Sequence, residues 1–225
     1  MRGVGIALTV IALALACGPS APAQGIRGGV GRQPPHLMGE FNPVVGTGAQ
    51  YLRTSQNVDT HFSYVIVGKE DVGGRTGYWL EVRTQGGEIP GEIVMKQLMV
   101  MSGEKPEIKR MIVQPPGRPP TEFPLQMMPG LTQQGVESGD TSPGVKLGSE
   151  TITVPAGTFE CDHYRKQETR GAVDIWISSR VSPYGTVKMS RGELSLVLEK
   201  VLTNEISHIH GEPRPMNFPM QHPEP

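Results

Sequence analysis

Along most of the chain, apolar and polar positions alternate with a period of two, the pattern of strands with one buried face. Phe62, Tyr64 and Ile66 alternate with Ser63, Val65 and Val67 inside a segment Thr60 to Lys69, and Tyr78, Leu80 and Val82 share one face of Tyr78 to Thr84. The four glycines between Gly68 and Gly77 make the turn that joins them. Ala49 to Ser55 and Glu107 to Gln114 are further strand candidates, and Ile93 to Met101 reads as a buried strand or a short helix. In the second half, Thr151 to Val154 and Thr158 to Gln167 flank a Pro155-Ala156-Gly157 turn. Gly171 to Ser178 sets Val173, Ile175 and Ile177 against Asp174 and Trp176, leaving one wet or ligand-facing side. Tyr184 to Met189 follows. Glu193 to Thr203 fits both periods, so Ser190-Arg191-Gly192-Glu193 is either a hairpin turn or a capping box; the strand before it favours the hairpin.

Three stretches break the pattern. Six prolines fall between Gln114 and Gly130, and a polar run from Thr132 continues them, which predicts a Pro-rich loop over 114–144 with no central strand. That loop is a surface connection or a flap over a cavity mouth. Residues 24–36 are Gly-, Arg- and Pro-rich and read as a flexible lead-in, with order beginning near Leu37. Five prolines after Gly211 predict a disordered tail over 211–225, leaving 37–210 as one β domain.

Met1 to Ala23 has the three-part pattern of a secretory signal peptide: Arg2, an apolar run from Ile6 to Ala16, then small residues. Cleavage after Ala23 gives a periplasmic or secreted protein; the alternative is a lipoprotein anchored at Cys17, although Ala14 stands where such signals carry Leu. The apolar run is too short for a transmembrane segment, and no later stretch approaches the length required. Either route leaves Cys161 as the only free thiol, so no internal disulfide is expected.

Composition sharpens the fold class. Nine alanines occur and six lie in the leader, while Val, Ile and Thr are abundant beyond it, which points to a mainly β domain with few helices. Formal charge is −1, or −2 without Arg2, with no basic block, so nucleic acid is not an expected partner.

The run Val154-Pro155-Ala156-Gly157-Thr158-Phe159, then His163-Tyr164-Arg165, Asp174-Ile175-Trp176-Ile177-Ser178 and Pro183-Tyr184-Gly185-Thr186-Val187-Lys188-Met189 resembles a family of secreted bacterial proteins built on a domain of unknown function. Their architecture is similar to the open half-barrel of the periplasmic lipoprotein carrier and receptor LolA and LolB. The resemblance covers about residues 149 to 203, with Gly77 to Gln114 agreeing more loosely, and implies a single curved antiparallel sheet or open half-barrel. It brings no catalytic residue with it. The concave face of such a sheet is an apolar cavity if left open and a core if covered. Met95, Met99, Met101, Met111, Met127 and Met128 suit either an adaptable pocket or ordinary core filling.

Chemistry-bearing residues are sparse. Cys161 and His163 share a strand face, but at roughly 6.5 to 7 Å along the strand a direct bond requires both to lean, and no orienting acid accompanies them. They read as a buried structural cysteine beside a half-buried histidine. His208 and His210 form an H-x-H pair that, on a strand, would aim two imidazoles the same way; with no third ligand nearby, a solvated terminus is the competing reading. Acidic pairs such as Glu81 with Glu160 or Asp174 cannot be placed in space from sequence. No nucleophile elbow, zinc-protease or phosphate-loop motif occurs, so catalytic, cofactor and metal residues are all unassigned and a non-enzyme is expected. The expected function is binding or carriage of an apolar ligand, a lipid or lipoprotein acyl chain; the alternative is a structural or protein-interaction module of the cell envelope.

Overall fold

The computed structural model describes residues 34–87, 89–103, 105–125, 142–169 and 171–216. The leader, most of the lead-in, Met127, Met128 and residues 217–225 lie outside them. Twelve strands form one open, curved sheet: β1 (Gly48–Ser55), β2 (Val58–Val72), β3 (Arg75–Gly86), β4 (Ile89–Ser102), β5 (Lys105–Gln114), β6 (Thr121–Phe123), β7 (Val145–Val154), β8 (Gly157–Glu168), β9 (Gly171–Ile177), β10 (Thr186–Arg191), β11 (Leu194–Leu202) and β12 (Arg214–Pro215). Their spatial order is β12-β6-β5-β4-β3-β2-β1-β11-β10-β9-β8-β7. Every pairing is antiparallel except that of β12 with β6.

Hairpins build β1 to β5 and β7 to β11, and the two meanders join where β11 pairs with β1, setting Leu198 opposite Tyr51. Register shifts at Gln50/Tyr51, Ile66/Gly68, Leu98/Met99 and Lys146/Gly148 bend the strands, because each extra residue increases local twist. The curl brings the β7–β8 turn back onto β11, where Ala156 N donates to the Leu198 carbonyl at 3.3 Å.

Both ambiguous segments are strands. Ile89–Ser102 pairs on both sides, with β3 and β5. Leu194–Leu202 is tied between β10 and β1, and the turn before it holds Gly192 at φ +56°, so the hairpin prevails over the capping box.

Two stretches read from the sequence as loop and tail carry short pairings. The Pro-rich connection does carry a strand, β6, three residues at the periphery, paired with β5 and held short by the prolines around it. The Pro-rich tail is ordered at its start: Arg214 N donates to Pro120 O and Met216 N to Glu122 O, both at 3.0 Å.

The inner face holds the main core, in which Tyr51, Phe62, Ile66, Ile175, Leu196 and Leu198 are fully buried. A smaller cluster of Trp79, Leu98 and Ile112 lies apart from it, with Ile209 packed against it.

Candidate functional site

The concave face is occupied by the protein itself. Leu37 and Met38 are 2% and 4% exposed and join the main core with Tyr51, Tyr64 and Phe159. Burying two such side chains contributes about 1.5–3 kcal/mol each. Polar bonds fix the segment that carries them. The Tyr64 hydroxyl donates to the Pro35 carbonyl, Thr186 Oγ1 donates to Met38 O at 2.8 Å, and Asn42 N donates to Pro183 O at 2.8 Å. Gly39 adopts φ +132° so close to the sheet that a Cβ there would lie 2.0 Å from the Tyr184 carbonyl oxygen. Tyr51, wholly buried, donates to Thr186 O at 2.9 Å, and burial holds the phenols of Tyr51, Tyr64 and Tyr184 well above the ordinary tyrosine range. The methionines follow the core: Met99 and Met111 are buried, and Met95 packs on the main cluster from a half-buried position.

The other face of β3 to β5 is crossed by the chain after β11. Glu81 is fully buried there, and its carboxylate accepts from Arg83 Nε at 2.9 Å, Ser207 Oγ at 2.6 Å and His208 N at 2.9 Å. Arg83 also donates to Glu205 Oε2 and to the Ile206 carbonyl, each at 2.7 Å. Lys96, its pKa lowered by burial against the pull of Glu81, lies 4.9 Å above the Trp79 ring. A buried carboxylate needs such a set of donors, and here they tie a strap of residues 203–216 across the sheet.

That strap changes the reading of the H-x-H pair. His208 and His210 lie in an extended segment without strand pairing; His208 Nδ1 meets Glu92 Oε2 at 2.9 Å, whereas His210 is anchored by its backbone N to Gln114 Oε1 at 2.8 Å. Among the described residues no group of three or more His, Cys, Asp or Glu side chains could hold a metal ion.

Cys161 and His163 do not form a dyad. Cys161 is 3% exposed, with its thiol toward the Phe159 carbonyl at 3.7 Å, and burial, aided by Asp162 and Glu150, pushes its pKa up to about 11. His163 is engaged elsewhere. Its ring stacks on Trp176 with centroids 4.5 Å apart, Nε2 lies 2.9 Å from Asp174 Oδ1, and Nδ1 lies 3.2 Å from Glu150 Oε1. Asp174 also takes Arg165, and Glu150 takes Trp176 Nε1 at 2.6 Å, so the wet side of β9 is a closed polar network. Glu81 sits on β3, with β2, β1, β11 and β10 between it and Asp174 on β9, so no pair of carboxylates forms there.

A cleft of about 620 Å³ opens at the free end of the sheet. Its walls are Ser149, Glu150 and Thr151 of β7, Glu160, Cys161 and Asp162 of β8, residues 177–179, 181, 184 and 185, and Glu40 and Asn42. Among the described residues, four carboxylates line it and no lysine or arginine does. Asp162 is paired with Lys146 at 2.8 Å and with Ser149, which hold its pKa below the usual range. Glu40 and Glu160 are exposed, and neither has an ion pair or hydrogen bond among the described interactions. Sequence reasoning missed the cleft because it is assembled from four separated segments. Its one legible trace was the acidic bias of Glu150, Glu160 and Asp162 around the β7–β8 turn.

No protein-family model matches the chain, and no curated protein matches it. Among solved structures, a candidate lipoprotein of Parabacteroides distasonis is 14% identical with a TM-score of 0.34, the match covering 73% of this chain and 99% of that one. A candidate exported protein of YmcC-like fold from Bacteroides fragilis is 12% identical with a TM-score of 0.32 over 73% of this chain and 99% of that one.

Proposed function

We propose that this protein is a non-enzymatic interaction module of the bacterial cell envelope, exported by its leader and acting through the rim and edge of a solid sheet. The observation that carries the reading is the concave face filled by Leu37, Met38 and the tyrosines. A carrier on the half-barrel plan of LolA and LolB needs an apolar cavity of a few hundred Å³. Here that volume is core. The open cleft is walled mostly by carboxylates and hydroxyls, a poor lining for an acyl chain because desolvating them without partners costs free energy. Apolar carriage would require residues 35–42 to leave the face and forfeit the bonds of Tyr64, Thr186 and Pro183.

The chemistry of the described residues supports the non-enzymatic part: the Cys161 thiol is buried, its pKa raised, and the half-buried His163 is locked between two carboxylates. Titration with an apolar fluorophore such as N-phenyl-naphthylamine, beside native mass spectrometry of the exported chain, tests the reading. Neither saturable uptake nor a lipid adduct is expected. A stoichiometric lipid that the fluorophore displaces would overturn it.

A further inference from the structure

We propose that the outer side of β7 is a strand-addition site for an extended, lysine- or arginine-bearing segment of a partner protein. This rests on the reading that binding occurs at the edge of the sheet and not within it, and it names the partner's chemistry.

The two edges of the sheet are finished differently. Beyond β5 the sheet tapers through β6, three residues, and β12, two residues, both proline-flanked, which blunts that edge in the manner natural sheets use against unwanted pairing. β7 is ten residues long and lies last in the order, with no described strand on its outer side. Every side chain from Val145 to Thr151 is exposed, with Val145 at 70% and Leu147 at 52%. The bulge at Lys146/Gly148 guards only the start of the strand. From Gly148 to Val154 the register with β8 is unbroken. Val154 and Gly157 flank the two-residue turn and so form a hydrogen-bonded pair; by alternation, Ser149, Thr151 and Thr153 direct N–H and C=O groups away from β8. That is the template an added strand uses.

Charge selects the occupant. The same stretch of β7 walls the acidic cleft, where Glu160, opposite Thr151 on β8, and Glu40 are exposed and unpaired among the described residues. An added strand would lie about 9.5 Å from β8, two strand spacings, a gap that an extended lysine or arginine closes onto Glu160. A second copy of this chain would bring two carboxylate-lined clefts together, which like-charge repulsion disfavours.

The test is amide-resolved NMR of the full exported chain with a short Thr/Val-alternating peptide carrying lysines, and with its glutamate counterpart. The lysine peptide should shift the amides of Ser149, Thr151 and Thr153, and the glutamate peptide should not. Thr151→Pro removes one outward N–H at a position where an edge tolerates proline, and should weaken binding about three- to tenfold, the worth of one backbone hydrogen bond. Thr151→Val keeps the N–H, so a loss with proline that valine does not share traces to the donor and not to the side chain, and native amide shifts away from β7 show that the proline variant is folded. Glu160→Lys should reverse the preference between the peptides. Equal binding of both peptides, shifts located away from β7, or no shift with either overturns strand addition. The reading of a solid sheet fails only on lipid uptake, so the two failures are separable.

Discussion

Ser207 donates its hydroxyl to the carboxylate of Glu81 at 2.6 Å, joining positions 126 residues apart in the chain. The bond closes a carboxylate that is wholly buried. Ser207→Ala would leave one buried oxygen short of a donor, an expected loss of about 1–3 kcal/mol in urea unfolding. Ending the chain after Leu202 should cost more, because it also removes His208 N and uncovers Trp79, Leu98 and Ile112. Trp79 and Trp176 are the only tryptophans, so in a Trp176→Phe background Trp79 alone reports. Its emission should shift red on truncation; an unchanged spectrum and midpoint would mean that the strap adds nothing.

Gly39 gives a second prediction. An alanine there meets the Tyr184 carbonyl at 2.0 Å and must hold φ +132°, so residues 35–42 should lift from the sheet. Gly39→Ala is expected to cost about 1–3 kcal/mol of stability and to raise binding of an apolar dye as Leu37 and Met38 leave the core. A variant with native melting and no dye uptake would show that the cover is not what closes the face.

How much of this was legible in the sequence depends on the range over which each choice was made. Period-two alternation located β2, β3 and β9, and the Pro155–Ala156 turn located β8 and set the β7–β8 register locally. The second half of β7 was visible as Thr151 to Val154, but Val145 to Glu150 were not. Exposed on both faces, they carry no apolar period. Leu194 to Leu202 fitted helix and strand equally until Met189 and Tyr51 supplied partners on either side. The strap escaped notice because few of its side chains pack; it is held chiefly by polar groups that meet only after folding. One signal could have found it. Glu81 sits among Trp79, Leu80 and Val82, and a carboxylate buried there demands donors from somewhere. The acidic cleft left only the bias of Glu150, Glu160 and Asp162 as a sign, since Glu40 joins them through tertiary structure alone.

Cys161 offers a direct check on the core packing. Its thiol is buried and its pKa pushed up to about 11, so almost no thiolate forms at neutral pH. Alkylation by iodoacetamide should therefore be negligible in the native protein and become fast only in denaturant, following the unfolding curve. Rapid native labelling that is slowed by a small-molecule ligand of the cleft would instead restore the case for a reactive cysteine.

Asp174 sets the response to acid at the free end of the sheet. Burial alone would raise its pKa, but hydrogen bonds from His163 and Arg165, reinforced by their charges, hold it below the ordinary aspartate range. A carboxylate depressed in the folded state stabilises the fold above its unfolded pKa, near about 3.9, and that contribution fades as pH falls through the folded value. Asp174→Asn removes this linkage while keeping the shape of the side chain. At neutral pH the variant should be less stable than the native protein, and the gap between their urea midpoints should narrow on acidification from about pH 5 toward pH 2. The groups facing this site are Glu150, Arg165, His163 and Lys188, and all four are present in both proteins. Parallel pH profiles for the two proteins would mean that the network of β7, β8 and β9 does not depend on the Asp174 charge, and that Trp176 stacking alone orders His163.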